Sequence, residues 1–248
     1  LGGYHRVSGH QIPNSVIIHS LFGGNVDKRV ILARGTALST DSGLGRAHHA
    51  LVGTLRDSLV EGWEMTRTID HDAPSSSVGR VLKRFRHASV VSSGSKASEG
   101  DLLHITDQEQ AHLVPRNSEI PVVVTVHDMF HLEPSEIESV PIGEHSPGMI
   151  RRMDLRRLRK GLERADLIIC ISEITQSEVN RVFPGKPTAL VRHKIDADHW
   201  DPSSNPMPID LISEEHDPSK CLLITVGSDD PRKRIDFIDE VESSLPSE

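Results

Sequence analysis

His127 and Asp128 follow directly on the run Val122, Val123, Val124, Thr125 and Val126. An imidazole and a carboxylate side by side can hold a proton, bind a hydroxyl or orient one another. Open α/β sheets take their ligands outside the carboxyl ends of their strands, so a polar pair at the end of a β-branched run sits where chemistry is expected. The competing reading is an aspartate that caps a turn beside a hydrogen-bonded histidine. Adjacent His and Asp also occur in metal-dependent phosphohydrolases, but the further ligands would sit on helices. Fifteen histidines come with no CxxC and no HExxH spacing, and we reject a metal site.

A second candidate is the turn Ser42-Gly43-Leu44-Gly45-Arg46, placed between an apolar run at residues 30–33 and a helical pattern from residue 45. Glycines there let helix amides approach an anion without a Cβ in the way. Gly43 and Gly45 match part of a dinucleotide fingerprint, but His48 stands where its third glycine would be. A phosphate-facing loop and a structural turn both remain open. The third feature is a helix whose residues 151–164 carry Arg151, Arg152, Arg156, Arg157, Arg159, Lys160 and Arg164 against Asp154 and Glu163. Such a face is either merely solvated or meets anionic lipid head groups or a phosphorylated acceptor. Arg152, Arg156, Arg159 and Lys160 are its candidate contacts.

These groups must be carried by alternating strands and helices. Strands are expected at 30–33, 65–69, 102–105, 121–126, 167–171, 188–191 and 221–226. Helices are expected at 45–59, with Ala47, Leu51, Leu55 and Leu59 inward, and at 78–85, 107–114, 149–165, 173–182 and 235–245. Residues 92–98 read as a Ser-rich connection, and 128–148, with three prolines, as a long functional loop. The pattern implies a Rossmann-like, doubly wound parallel α/β sheet. It divides into an extension at 1–28, a first domain at 29–200, a linker at 201–218 and the opening of a second α/β domain at 219–248.

The chain has 248 residues and a formal charge of −8, so no global attraction to nucleic acid exists. With 3% aromatic residues it cannot build the stacking platforms of single-strand binders. Its apolar runs are strand-sized, far below the ~20 residues of a membrane helix. Cys170 and Cys221 lie inside apolar runs and read as buried hydrophobes in a reducing, cytoplasmic compartment. The first residue is Leu, which suggests a misassigned start or a piece of something longer.

Five segments taken together resemble the retaining, GT-B fold glycosyltransferases of family 4. They are the glycine turn at 42–46, PVVVTVHD at 121–128, RADLIICISE at 164–173, and the stretches 191–202 and 222–234. The resemblance implies two Rossmann-like domains with a cleft between them. It further implies transfer of a hexosyl unit from a nucleotide diphosphate sugar to an acceptor hydroxyl, with retention. Gly43 and Gly45 would face the donor diphosphate. His127 would contact the transferred sugar, with Asp128 orienting it. Lys233, helped by Arg232, would stabilise the leaving diphosphate, so that no metal or other cofactor is needed.

The chain departs from the family at three places. Ser228 stands where many members have an arginine, and Lys194 where a glycine is expected. The family's Glu-x7-Glu segment falls beyond the chain, for which Glu240 and Glu248 are only a chance match in spacing. The chain alone is therefore expected to be inactive. Two alternatives compete with this reading. One is a split-gene or binding half, partnered by a separate chain with the donor domain. The other is a Rossmann oxidoreductase using Asp70 or Asp72, which the missing third glycine argues against. The central expectation is convergence of the glycine turn, His127 and Lys233 on one gap, with peripheral contact at the inner membrane face as a further option.

Overall fold

The β-branched run forms a strand at Val122–Val126 and buries all five side chains, as a strand must when both faces of its sheet are covered. It belongs to a computed structural model that describes residues 27–40, 42–72, 77–137, 139–193, 201, 203, 233 and 235–244. In chain order the elements are β1 (Lys28–Thr36), α1 (Gly43–Arg56), β2 (Trp63–His71), α2 (Ser77–Gly94), β3 (Leu102–Ile105), a 3-10 helix (Gln108–Leu113) and β4 (Val122–Val126). There follow β5 (Ser135–Ile137), β6 (Val140–Ile142), α3 (Met149–Arg164), β7 (Leu167–Cys170), α4 (Glu173–Val182), β8 (Thr188–Leu190) and α5 (Asp236–Ser244).

Six strands pair in the order β2-β1-β3-β4-β7-β8, and every pairing is parallel. The chain runs outward from β1 to β2, then returns to the other side of β1 for β3. The order therefore reverses between β1 and β3, the switch point at which doubly wound sheets open a crevice. This is the Rossmann-like α/β architecture the sequence implies. The core is made where α1 lays Val52 and Leu55 against Val30 and Leu32, with each fully buried aliphatic side chain contributing about 1.5–3 kcal/mol.

Contact density separates the chain into two units, Leu1–His127 with Met153–Val191, and Asp128–Arg152 with Arg192–Glu248. The first holds the six-stranded sheet. The second holds the antiparallel pair β5 and β6, inside the stretch read from sequence as a long loop. Gly143, at φ 92°, is needed there because a Cβ would meet the Phe130 carbonyl.

Four expectations are corrected in detail. Helix 107–114 is a 3-10 helix of six residues, its first turn held by Asp107, whose side chain accepts from Glu109 N. The helix expected at 78–85 runs on to Gly94 and absorbs much of the serine stretch. The inward face of α1 is Gly45, His48, Val52 and Leu55, while Leu59 lies beyond the helix and is exposed. The apolar-only pattern missed this rotation because a histidine occupies one of the inward positions. Finally, Arg159 does not join an outer basic face: it is half-buried, with its guanidinium over the Phe183 ring at 5.6 Å.

Candidate functional site at the carboxyl edge of the sheet

Because the sheet is parallel, the ends of β1, β3, β4 and β7 share one edge. The register pairs Ala33 with Ile105, Ile105 with Val124, and Val126 with Cys170. The residues that follow these strands therefore emerge along one edge, although the first and last of them, Ala37 and Ile171, are 134 positions apart in the sequence. Thr106, directly after β3, donates its backbone N–H to the Ala33 carbonyl and so continues the ladder past the last strand residue.

Three residues converge on that point. His48, one turn into α1, is buried and meets Thr106 Oγ1 through Nδ1 at 3.1 Å. His127, directly after β4, places its ring Nε2 3.2 Å from the Thr106 carbonyl. A carbonyl only accepts, so Nε2 carries the proton. The His127 backbone is held as firmly: Gln108 Oε1 accepts its N–H at 2.9 Å and the Thr175 hydroxyl donates to its C=O at 3.2 Å. Thr175 lies in the first turn of α4, where Ser172 caps the helix by accepting from Thr175 N. One layer deeper, His104 Nε2 meets Thr125 Oγ1 at 2.7 Å.

Burial pushes both His104 and His48 down to about 4. For His48 the neighbouring Arg34 adds to the effect, and for His104 the rings of His48 and His127 do. Both are thus neutral near pH 7. Arg34, buried at the end of β1, has its guanidinium pKa lowered by desolvation, against the attraction of Asp107 and Asp70. Its carbonyl meets His87 Nε2 at 2.7 Å. The edge is therefore a built polar layer on an apolar sheet.

The glycine turn stands at the same edge. Ser42 caps α1, and its Oγ accepts the Gly45 N–H at 3.0 Å. A Cβ at Gly45 would collide with the Ser39 carbonyl, whereas one at Gly43 would meet nothing within 4 Å. Gly45 is thus a glycine for close packing, and its amide serves the cap. The first-turn donors that point outward from such a helix are those of Gly43 and Leu44.

Among the other residues singled out from sequence, Asp128 belongs to the second unit, where its Oδ1 accepts the Phe130 N–H at 3.3 Å. That is the capping contact. Lys233 is also in the second unit and is exposed, and Arg232 lies outside the described residues. On α3, Arg152, Arg156 and Lys160 are exposed, and Arg152 donates to the Pro147 carbonyl at 2.8 Å. The rest of that basic stretch is partly tied down: Arg151 pairs with Glu144 at 2.6 Å and Arg164 donates to the Val114 carbonyl at 2.7 Å. Among the described residues no three His, Cys, Asp or Glu side chains are placed to hold a metal ion, and no helix is long and apolar enough to cross a membrane.

His48, His104, Thr106, Gln108 and Thr175 were not singled out as site residues from the sequence. A signal was present: His104-Ile105-Thr106 and Thr125-Val126-His127 are two strand ends with polar residues at period two. Residues i and i+2 share one face of a strand, so adjacent parallel strands with these patterns face polar to polar.

A parallel sheet whose order reverses beside a built polar edge defines a Rossmann-like α/β domain. The family model described as Glycosyltransferase Family 4 matches residues 44–199, more than half of the chain, and the protein belongs to that family. It is thus of the glycosyltransferase class, as the resemblance implied. No curated protein matches the chain. Among solved structures it is similar to a sucrose-phosphate synthase from Thermosynechococcus elongatus, at 11% identity and TM-score 0.42, covering 70% of this chain and 93% of that one. It is also similar to UGT73P12 of Glycyrrhiza uralensis complexed with glycyrrhetinic acid 3-O-monoglucuronide, at 9% identity and TM-score 0.39, covering 71% of this chain and 50% of that one. A third is Phytolacca americana UGT2 complexed with UDP-2fluoro-glucose and pterostilbene, at 13% identity and TM-score 0.39, covering 71% and 57%. The chain thus spans about half the length of the two plant enzymes.

Proposed function

We propose that this protein takes part in transfer of a hexosyl unit from a nucleotide diphosphate sugar to an acceptor hydroxyl, with retention at the anomeric carbon. The reading rests on membership of glycosyltransferase family 4 over residues 44–199. It is supported by the gathering of α1, Thr106 and His127 at the switch point. In this reading the imidazole of His127 contacts the transferred sugar. The outward amides of Gly43 and Leu44 face the diphosphate, where a helix N-terminus favours negative charge. Lys233 and Arg232 offset the charge that grows on the leaving nucleotide, the part a metal plays in other transferases. Asp128 shapes the turn that follows His127. The exposed Arg152, Arg156 and Lys160 meet an anionic acceptor, free or presented at a membrane surface.

Chemistry of this kind is largely positional: donor and acceptor are held in line and the leaving group is stabilised. The test uses the protein at its full encoded length, with UDP- and GDP-hexoses and a hydroxyl acceptor. Proton NMR of the glycosidic product should show the anomeric configuration of the donor, and His127→Ala should lower the rate by about 100-fold or more while the fold is kept. An inverted product overturns the retaining mechanism. A folded protein that binds neither sugar nucleotide in calorimetric titration overturns the transferase reading.

A further inference from the structure

We propose that His48 is a positioning residue for His127, acting through Thr106, so that helix α1 and the His127 imidazole are held in one register across the switch point. The inference deepens the transferase reading and rests on its view that His127 faces the sugar.

The geometry is a relay of three residues from three separate segments. His48 sits on α1, the helix that opens with the glycine turn, and that helix cannot slide: Gly45 packs against the Ser39 carbonyl, and Ser42 caps the first turn. Thr106 follows β3 and is anchored by its own N–H to the Ala33 carbonyl. Its hydroxyl meets His48 Nδ1 at 3.1 Å and its carbonyl meets His127 Nε2 at 3.2 Å. Both ends of Thr106 are therefore occupied by imidazoles, and its side chain is buried. Hydroxyl and carbonyl are carried on the same Cα, so a displacement of α1 that is passed through the His48 bond to Thr106 is passed on to the acceptor that His127 uses. The Gln108 and Thr175 contacts fix the backbone of His127, whereas the Thr106 carbonyl acts on the ring. His48 thus takes the place of the third glycine of a dinucleotide loop with a different task. That glycine would bring helix and sheet close together. The imidazole instead joins them by a hydrogen bond that reaches the candidate catalytic ring.

The relay is tested on the free protein labelled with 15N-histidine, by long-range 1H–15N spectra that report the protonation of each ring nitrogen. The His127 signals are identified by their loss in His127→Gln. In the wild-type protein His127 should be the Nε2–H tautomer. In His48→Leu the ratio of Nε2–H to Nδ1–H at His127 should fall by about tenfold, the effect of weakening one buried hydrogen bond. His48→Asn, whose amide reaches the place of Nδ1, should restore the wild-type ratio, which mere filling of space would not do. Thr106→Val is the second variant, since it keeps the carbonyl and cuts only the link to His48. It should shift the ratio as His48→Leu does, and it stands in for that variant should His48→Leu not fold. A His127 tautomer ratio unchanged in folded His48→Leu or folded Thr106→Val overturns the proposal. Because the readout is the unliganded ring, failure of the sugar-transfer assay leaves this result unaltered, and the two readings fail separately.

Discussion

His104 of β3 and Thr125 of β4 are joined, Nε2 to Oγ1, at 2.7 Å across neighbouring parallel strands. Both side chains are buried, and the rings of His48 and His127 act on His104 from the same side of the sheet. A polar pair in such a place is stabilising only while both members are present, because either one alone is left desolvated and unpaired.

Thr125→Val should therefore lower stability by about 1–3 kcal/mol, read as a shifted urea midpoint with an unchanged slope. The double variant Thr125→Val with His104→Leu should recover most of the loss, since no unpaired polar atom remains. A double variant as unstable as the single one would show that shape, not pairing, governs the site.

Acid should unfold the protein through the same histidines. With His104 and His48 held down to about 4 in the folded state and near 6.5 when unfolded, the unfolded chain binds more protons between those values. Their contribution is then fully present above about pH 6.5 and is lost as pH falls toward about 4. For the buried His104 the loss approaches about 3 kcal/mol. Urea unfolding at a series of pH values checks this, and the slope between pH 4 and 6.5 should flatten in His104→Leu.

The two glycines of the turn should respond differently to alanine. Gly45→Ala drives a methyl into the Ser39 carbonyl and should cost about 1–3 kcal/mol. Gly43→Ala points into open space and should change stability by less than about 0.5 kcal/mol. Equal losses at both positions, measured by thermal unfolding, would refute the division of labour between packing and exposure.

Cys170 should be inert. It is fully buried, and desolvation pushes its thiol up to about 11, so almost no thiolate exists at pH 8. In a Cys221→Ser background, an aromatic disulfide reagent should label Cys170 only at the rate of unfolding. Rapid labelling of the native protein would contradict the burial.

Much of this fold was legible in the pattern of residues. The stretch 121–126 has five β-branched residues after a proline and became β4, Val122–Val126. The spacing of Glu173–Val182 gave α4 to the residue. These are local matters: side-chain branching and period decide whether a segment is strand or helix, whatever its neighbours. The resemblance to glycosyltransferase family 4 was also carried by the order of short segments, and the family match bears it out.

Local pattern could not say which side chains would meet. His48, Thr106 and His127 are separated by 58 and 21 positions, and what brings them together is strand order and register, both properties of the closed sheet. The face of α1 was misread for the same reason, since a histidine counts as inward only when a buried threonine awaits it. Amino-acid types along the chain therefore determined most strands and helices of the parallel sheet, their alternation and the family. Tertiary structure alone decided the polar edge, because a buried hydrogen bond needs two partners and only the parallel register of β1, β3 and β4 delivers the second one.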